Sequence, residues 1–250
     1  MPTAPRITLI SALAQSPAPA SAAMAEVWPE AVINNLLDDS LAPDLAALGA
    51  ITPAIHERFL SLGRYAALAS DGQKSTAGIL FTCSAFGPAI DRVKADLPIP
   101  VLAPNEGAFD EALDLCRQAK GGGRVGLLLS FAGSLRPLSD EMEAMAAQRG
   151  QAAPRIEGAI ATGALDALQA GDTARHDHLI AKTAADMPDV DVLIIGQFSM
   201  ARAAPLVASQ RREPVLTTPH AAARKLRRLV EARTRQHPVA VGPALRHVVP

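Results

Sequence analysis

A thiol at the end of an apolar segment is the residue in this sequence best suited to chemistry. Cys83 directly follows the apolar run that ends at Thr82, and it precedes Ser84, a residue type that favours helix N-caps. In open sheets of parallel strands, ligands bind beyond the carboxyl ends of the strands, where loops lead into helices. A helix N-terminus lowers the pKa of a thiol and favours the thiolate. We therefore predict that Cys83 is a nucleophile or an acid or base toward carbon; the alternative is an inert buried cysteine.

Two further titratable residues follow predicted strands. His220 comes after the eighth predicted strand, and Glu106 holds the corresponding position after the fourth. Because a histidine titrates near neutral pH, His220 is a candidate acid or base beside Cys83, and Glu106 is the other candidate. The alternative for each is a water-facing residue in the first turn of a helix.

Hydroxyl and amide side chains cluster near the ends of the predicted strands, where they are suited to binding a small carboxylate. The predicted substrate-binding residues are Ser11, Asn34, Thr82, Ser84, Ser130, Ser134, Gln197, Ser199 and Thr217. Taken singly, each residue type is also typical of a cap or a turn. Together they favour a small anionic substrate.

The frame that must position these residues is an alternation of short apolar runs and longer alanine-rich stretches. The predicted strands are Ile7–Ile10, Ala31–Asn34, Ala77–Thr82, Ile99–Leu102, Val125–Leu129, Arg155–Ile160, Asp191–Ile195 and Pro214–Thr217. The predicted helices are Pro53–Ser70, Phe86–Lys94, Gly107–Lys120, Leu138–Arg149, Thr173–Ala185 and Ala221–Arg233. Strand, crossover helix and parallel strand in alternation are typical of an α/β protein with doubly wound parallel sheets.

An internal similarity divides the chain into two halves. The apolar runs that end at Cys83 and at Gln197 are each followed, at the same spacing, by Pro-Val-Leu and a helix. We predict two similar doubly wound halves related by pseudo-two-fold symmetry, residues 1–104 and 105–218. Residues 219–235 are a candidate for packing back on the first half. Residues 236–250 form a C-terminal tail.

Composition excludes several classes of partner and site. The formal net charge is −1, which provides no overall attraction to nucleic acid or to an anionic membrane. No apolar run approaches the about 20 residues of a membrane span. Two cysteines are too few for a disulfide framework or for a zinc site of the C-x-x-C kind. We expect a cytoplasmic protein, with solvated helix faces at Arg224–Arg235 and His176–His178 and with a turn at Gly121–Gly123.

The segment Phe81–Phe86 resembles the first catalytic-cysteine motif of the aspartate/glutamate racemase superfamily. That superfamily includes hydantoin racemases, maleate isomerases and arylmalonate decarboxylases. The similarity also takes in Trp28–Leu41, Gly158–Asp172 and Gln197–Ala201, and it extends to about residue 233. It implies a pseudo-symmetric fold with the site between the halves, no metal or pyridoxal phosphate, and a homodimer.

The resemblance also implies two thiols, one from each half, that exchange a proton on opposite faces of a carbon next to a carboxylate. This sequence departs from that pattern because Gln197 stands where the second cysteine is expected. A neutral amide does not transfer protons near pH 7, and Cys116 lies inside a predicted helix. Arylmalonate decarboxylases use a single cysteine, although theirs is in the second half. Gln197 is a candidate to hydrogen-bond a substrate carboxylate or enolate oxygen.

Several functions are compatible with one thiol. The leading hypothesis is a cofactor-independent amino-acid racemase or isomerase that acts at the carbon α to a carboxylate, with Cys83 as acid or base. One alternative is a decarboxylase, which needs only a proton donor. Another is a maleate-type cis–trans isomerase, in which Cys83 adds to a double bond. The alternative from a different class is a binding protein for small carboxylates without turnover.

Overall fold

Eight strands form two separate four-stranded sheets. The computed structural model describes residues 4–72, 74–117, 119 and 123–236. The strands are β1 (Arg6–Ser11), β2 (Val32–Leu37), β3 (Thr76–Phe81), β4 (Val101–Leu102), β5 (Arg124–Leu129), β6 (Arg155–Ile160), β7 (Val192–Ile195) and β8 (Val215–Thr217). Their order is β2-β1-β3-β4 in the first sheet and β6-β5-β7-β8 in the second, with every neighbouring pair parallel. The predicted α/β class is confirmed.

Helices connect the strands throughout. They are α1 (Pro17–Val27), α2 (Leu41–Leu48), α3 (Pro53–Leu68), α4 (Gly87–Asp96), α5 (Glu106–Cys116), α6 (Leu135–Gln148), α7 (Ala164–Gln169), α8 (Thr173–Ala185), α9 (Ala204–Ala208) and α10 (Thr218–Gln236). Short 3₁₀ turns at Ser84–Phe86, Ala132–Ser134 and Phe198–Ala203 precede α4, α6 and α9. The sequence predicts no helix at α1, α2, α7 or α9, because these segments are short or lack a clear apolar stripe.

The second strand is longer than its composition predicts. We expected it to end at Asn34, yet β2 continues to Leu37. It pairs with β1 along its whole length, from Arg6↔Val32 to Ser11↔Leu37. The hydrogen bonds of this ladder outweigh the low strand propensity of asparagine.

The two sheets repeat each other residue by residue. Ile79 pairs with Val101 in the first sheet, and Leu193 pairs with Val215 at the corresponding place in the second. The pairing agrees with the alignment of Cys83 on Gln197, without a gap. The predicted likeness of the two halves is therefore confirmed at the level of strand register.

Each sheet is covered in part by the helix that follows the other sheet. Phe109 and Leu113 of α5 are buried in the core of the second sheet, although α5 follows the first. Leu226 and Val230 of α10 are buried in a cluster with β1 and β3, although α10 follows the second sheet. This exchange of helices joins the halves through buried apolar surface.

Several basic residues of α10 pair with carboxylates. An Arg224 nitrogen lies 2.6 Å from a Glu111 oxygen on α5. An Arg227 nitrogen lies 2.7 Å from a Glu30 oxygen beyond α1. These pairs neutralise part of the positive charge of α10.

The face of α8 is solvated at one of its two histidines only. His178 is exposed, as expected, but His176 is fully buried and its Nδ1 lies 2.8 Å from Asp177 Oδ1. The expectation of a solvated residue is therefore wrong for His176, because α8 packs this side chain inward.

No described helix is long and apolar enough to cross a membrane. The predicted tail, apart from Gln236, and residues 121 and 122 of the predicted turn lie outside the described residues.

Candidate active site

Cys83 lies two residues beyond β3, at the N-cap of the 3₁₀ turn Ser84–Phe86. Ser84 was expected to be the N-cap of an α-helix; instead it is the first residue of this turn, and α4 begins only at Gly87. Phe86 fixes the turn in the core, because it is fully buried and its ring centroid lies 4.8 Å from that of Phe59. The Cys83 side chain is half-buried and packs against the same core cluster.

Two opposing effects act on the Cys83 thiol. Burial raises its pKa, and a hydrogen bond with the backbone of Ala85 acts in the opposite direction. Burial is the larger effect, so the net direction is upward. The expectation of a lowered pKa is therefore wrong, since a single 3₁₀ turn stabilises the thiolate less than the core disfavours it. At neutral pH, Cys83 carries its proton.

A cleft of about 1060 Å³ opens between the two halves, and its wall includes the two residues that follow Cys83 but neither Cys83 nor Gln197. Ser84 and Ala85 line it from the first half, and Ser134 and Glu141 line it from the second. The side chain of Phe131, which is 55% exposed, contributes to its wall. Among the predicted site residues, the cleft wall includes Ser84, Ser134 and Glu106.

Gln197 repeats the position of Cys83 in the second half. It is the N-cap of the 3₁₀ turn Phe198–Ala203, with φ −135° and ψ 141°, against φ −123° and ψ 120° for Cys83. Its Oε1 accepts hydrogen bonds from the Ser130 backbone N at 2.8 Å and from Ser130 Oγ at 2.7 Å. The carbonyl oxygen of the amide is thereby occupied, and the NH₂ group is the part of Gln197 that could donate to a ligand.

The predicted binding residues of the first half pack mostly among themselves. Thr82 Oγ1 donates to Ser11 Oγ at 2.9 Å, and both residues are buried, which ties the ends of β1 and β3 together. Asn34 lies in the middle of β2, opposite Thr8, rather than at its end. Its Nδ2 is buried without a hydrogen-bond partner among the described residues.

Glu106 faces the cleft within a group of charged side chains. It forms ion pairs with Lys94 and with Lys225, whose Nζ is 3.5 Å from Glu106 Oε2. Glu106 Oε1 also accepts the backbone N–H of Ala103 at 3.2 Å. Glu106 therefore lies in the cleft wall with its carboxylate paired to two cations.

His220 lies in the first turn of α10, where two polar side chains outside the cleft wall hold its ring. Its Nδ1 lies 2.6 Å from Thr217 Oγ1, and its Nε2 lies 2.9 Å from Glu26 Oε2 on α1. Ser199 is half-buried within the 3₁₀ turn of the second half. His220, Thr217 and Ser199 are not part of the cleft wall.

Within the described parts of the chain, no group of three His, Cys, Asp or Glu side chains is arranged to hold a metal ion.

The similarity of the chain to known proteins agrees with this arrangement. The sequence profile of the Asp/Glu/Hydantoin racemase family matches residues 18–228. The chain belongs to this family. No curated protein sequence matches it.

Solved racemases and decarboxylases share the fold. A glutamate racemase isoform from Bacillus anthracis superposes with a TM-score of 0.64 at 13% identity, over 92% of this chain and 83% of that one. An allantoin racemase from Klebsiella pneumoniae gives 0.60 at 16% identity, over 92% and 89%. A point variant of arylmalonate decarboxylase in a sulfate-associated form gives 0.59 at 17% identity, over 91% and 94%.

Several residues in or next to the cleft were not predicted from the sequence. Asn105 is 2% exposed, and its Nδ2 donates to Glu141 Oε2 at 3.1 Å, which joins the N-cap of α5 to α6. Lys94 and Lys225 approach the cleft from α4 and α10. The signal available for Asn105 was its place just after the fourth strand, beside Glu106. Glu141 lies inside a helix and had no signal in the sequence.

Proposed function

We propose that this racemase-family protein is a cofactor-independent enzyme that moves a proton at the carbon α to a carboxylate of a small acid. Cys83 is the acid or base. The observation that carries the proposal is the half-buried thiol at the carboxyl end of β3, beside a cleft between two similar halves. This is the edge of a parallel sheet at which ligands bind.

The chemistry assigned to each group follows from its contacts. The Gln197 amide NH₂ and the backbone N–H groups of the turn after Cys83 are suited to stabilise the enediolate that forms when the α-proton leaves. Ser84 and Ser134 offer hydroxyl groups to the same ligand from opposite walls of the cleft. In racemisation, the Cys83 thiolate takes the α-proton from one face of the carbon, and a proton from solvent reaches the opposite face, because Gln197 cannot supply one. In cis–trans isomerisation, Cys83 adds to the double bond and leaves again after rotation about the resulting single bond.

Decarboxylation is the second candidate, and two observations favour it. Gln197 holds the position of a second thiol but cannot transfer a proton, and burial keeps Cys83 protonated by raising its pKa. When a malonate-like acid loses carbon dioxide, the electron pair of the broken C–C bond stays on the α-carbon. One protonated thiol is then sufficient: Cys83 gives its proton to that carbon, and water reprotonates the thiolate.

Proton exchange in heavy water tests the proposal. The protein is incubated with aspartate, glutamate, hydantoins, maleate and arylmalonates and followed by NMR. We expect deuterium at the α-carbon of at least one of them, with loss of chirality for a racemase or with release of carbon dioxide for a decarboxylase. For maleate, the corresponding product is the trans isomer. Cys83→Ala should abolish turnover, whereas Cys116→Ala, which removes the other thiol from a buried position on α5, should retain it.

The result also separates an enzyme from a binding protein. Full activity in Cys83→Ala would contradict the role of the thiol. A melting temperature raised by one of these acids, without exchange or product, would indicate a carboxylate-binding protein without turnover.

A further inference from the structure

Glu141 brings a carboxyl group to the cleft from the second half. It lies on α6, and the opposite wall includes Pro88 and Asp91 of α4. It lies about two helical turns along α6 from Ser134, which is also part of the cleft wall. Nothing in the proton transfer assigned to Cys83 uses this residue.

One oxygen of Glu141 is held in place and the other is open. Oε2 accepts the hydrogen bond from Asn105, whose buried side chain follows β4 in the first half. Within the described part of the chain, no donor reaches Oε1 within hydrogen-bond distance, and Oε1 is not among the buried unpaired atoms. The carboxyl group is thus oriented by one oxygen while the other faces the cleft.

The cations near Glu141 are already paired with other carboxylates. Lys94 of α4 pairs with Asp91 and Glu106, and Lys225 of α10 pairs with Glu106 and Asp110. Arg149, at the far end of α6, pairs with Asp110 and Asp114. None of the ion pairs among the described residues includes Glu141. Asn105, just before the start of α5, is the residue that hydrogen-bonds Glu141.

We propose that Glu141 is a substrate-binding residue of the cleft, whose carboxyl group shares a proton through Oε1 with a carboxylate of the substrate. The inference rests on the proposed function, since it assumes a small carboxylic acid as the ligand. It assigns to the second half a group that recognises the substrate.

Burial supports this role, because it raises the pKa of Glu141 above its ordinary value. The hydrogen bond from Asn105 and the charge of Lys94 act in the opposite direction, and Asp91 adds to the effect of burial. A protonated carboxyl group donates a hydrogen bond to an anion, whereas an ionised one repels it. Binding of a carboxylate should therefore weaken as the pH rises through the pKa of Glu141, by about tenfold per pH unit at the steepest point.

The test measures the affinity for mandelate by calorimetric titration between pH 5 and 8, a range in which mandelate stays a monoanion. The wild-type protein, Glu141→Gln and Glu143→Gln are compared. Glu143 is the matched control, because it lies exposed on the same helix. We expect the affinity of the wild type and of Glu143→Gln to fall with rising pH. Glu141→Gln, which keeps the hydrogen-bond donor but cannot ionise, should hold its low-pH affinity across the range.

Two results would overturn the inference: an unchanged pH profile in Glu141→Gln, or no binding of mandelate at any pH. Circular dichroism confirms that each variant is folded. The binding test is independent of the exchange experiment. Binding of mandelate that depends on pH, without turnover of any acid, would contradict only the proposed function. Turnover that depends on Cys83, with the pH profile unchanged in Glu141→Gln, would contradict only the role of Glu141.

Discussion

The environment of each thiol determines its reactivity in this protein. Cys83 lies half-buried at the start of a turn, and burial raises its pKa. Cys116 ends α5 in the core of the second half, where burial and the charge of Asp191 raise the pKa to about 11. Both thiols are therefore protonated at neutral pH, and only Cys83 lies near the cleft.

Alkylation measures the direction of the Cys83 shift. In a Cys116→Ala background, we expect iodoacetamide to modify Cys83 with a rate–pH midpoint above about 8.5, the ordinary value for cysteine. The reason is that only the thiolate reacts, and a raised pKa moves its formation to higher pH. The rate is followed by mass spectrometry, with the same chain unfolded in urea as the control. A midpoint below that of the unfolded chain would show that the turn outweighs burial.

The contact between Gln197 and Ser130 makes a separate prediction about stability. Replacing Gln197 by Ala leaves the backbone N–H and the hydroxyl of Ser130, a residue only 9% exposed, without their acceptor. We expect Gln197→Ala to lower the free energy of unfolding by about 1–3 kcal/mol in urea titrations. Gln210→Ala, at an exposed position, should change it by less than about 0.5 kcal/mol. Equal stabilities of the two variants would mean that the amide does not support Ser130.

At the scale of elements, the crossing of α5 and α10 controls how closely the halves approach. Gly107 lies in the first turn of α5, and a Cβ atom there would be 2.3 Å from the backbone oxygen of Ala221 on α10. Only a residue without a side chain permits this approach. The helix pair also carries Glu106 and Lys225, so the crossing positions part of the cleft wall.

A methyl group at this crossing should therefore be costly. We expect Gly107→Ala to destabilise the protein by about 3 kcal/mol, because the clash is with backbone, which cannot rotate away. Gly87→Ala is the matched control: Gly87 begins α4, and nothing lies within 4 Å of the added Cβ. Thermal unfolding followed by circular dichroism compares the two. A Gly107→Ala variant as stable as Gly87→Ala would mean that the helices move apart without cost.

At the scale of the whole molecule, the exchange of α5 and α10 makes each half depend on the other. The single tryptophan, Trp28, is buried in the cluster that α10 shares with the first sheet. Cys116 is buried in the cluster that α5 shares with the second sheet. The two residues therefore report on the two cores separately.

We expect both cores to unfold in one transition. Tryptophan fluorescence and labelling of Cys116 in a Cys83→Ala background should give the same urea midpoint, because loss of either sheet removes a helix from the other. Far-UV circular dichroism supplies the third probe. Two separate midpoints would contradict the coupling and would indicate halves that fold on their own.

Local pattern in the sequence was sufficient for the frame and for the principal reactive residue. Apolar periodicity predicts the eight strands, most of the crossover helices and the doubling of the chain. This periodicity is a local property, because it depends only on residues that are close in sequence. The place of Cys83 at a strand end follows from the same pattern. Because parallel strands end at a common edge, the side of the sheet that carries the thiol was also determined.

Contacts between distant residues were decided by the tertiary structure alone. Asn105 meets Glu141 across 36 positions, and Gln197 meets Ser130 across 67. The covering of each sheet by the helix that follows the other depends on how the halves pack. The pKa of Cys83 depends on the same packing, because desolvation is the sum of every atom that excludes water from the thiol. Sequence thus determined which groups are available for chemistry, and the fold determined which of them share a cleft and in which protonation state.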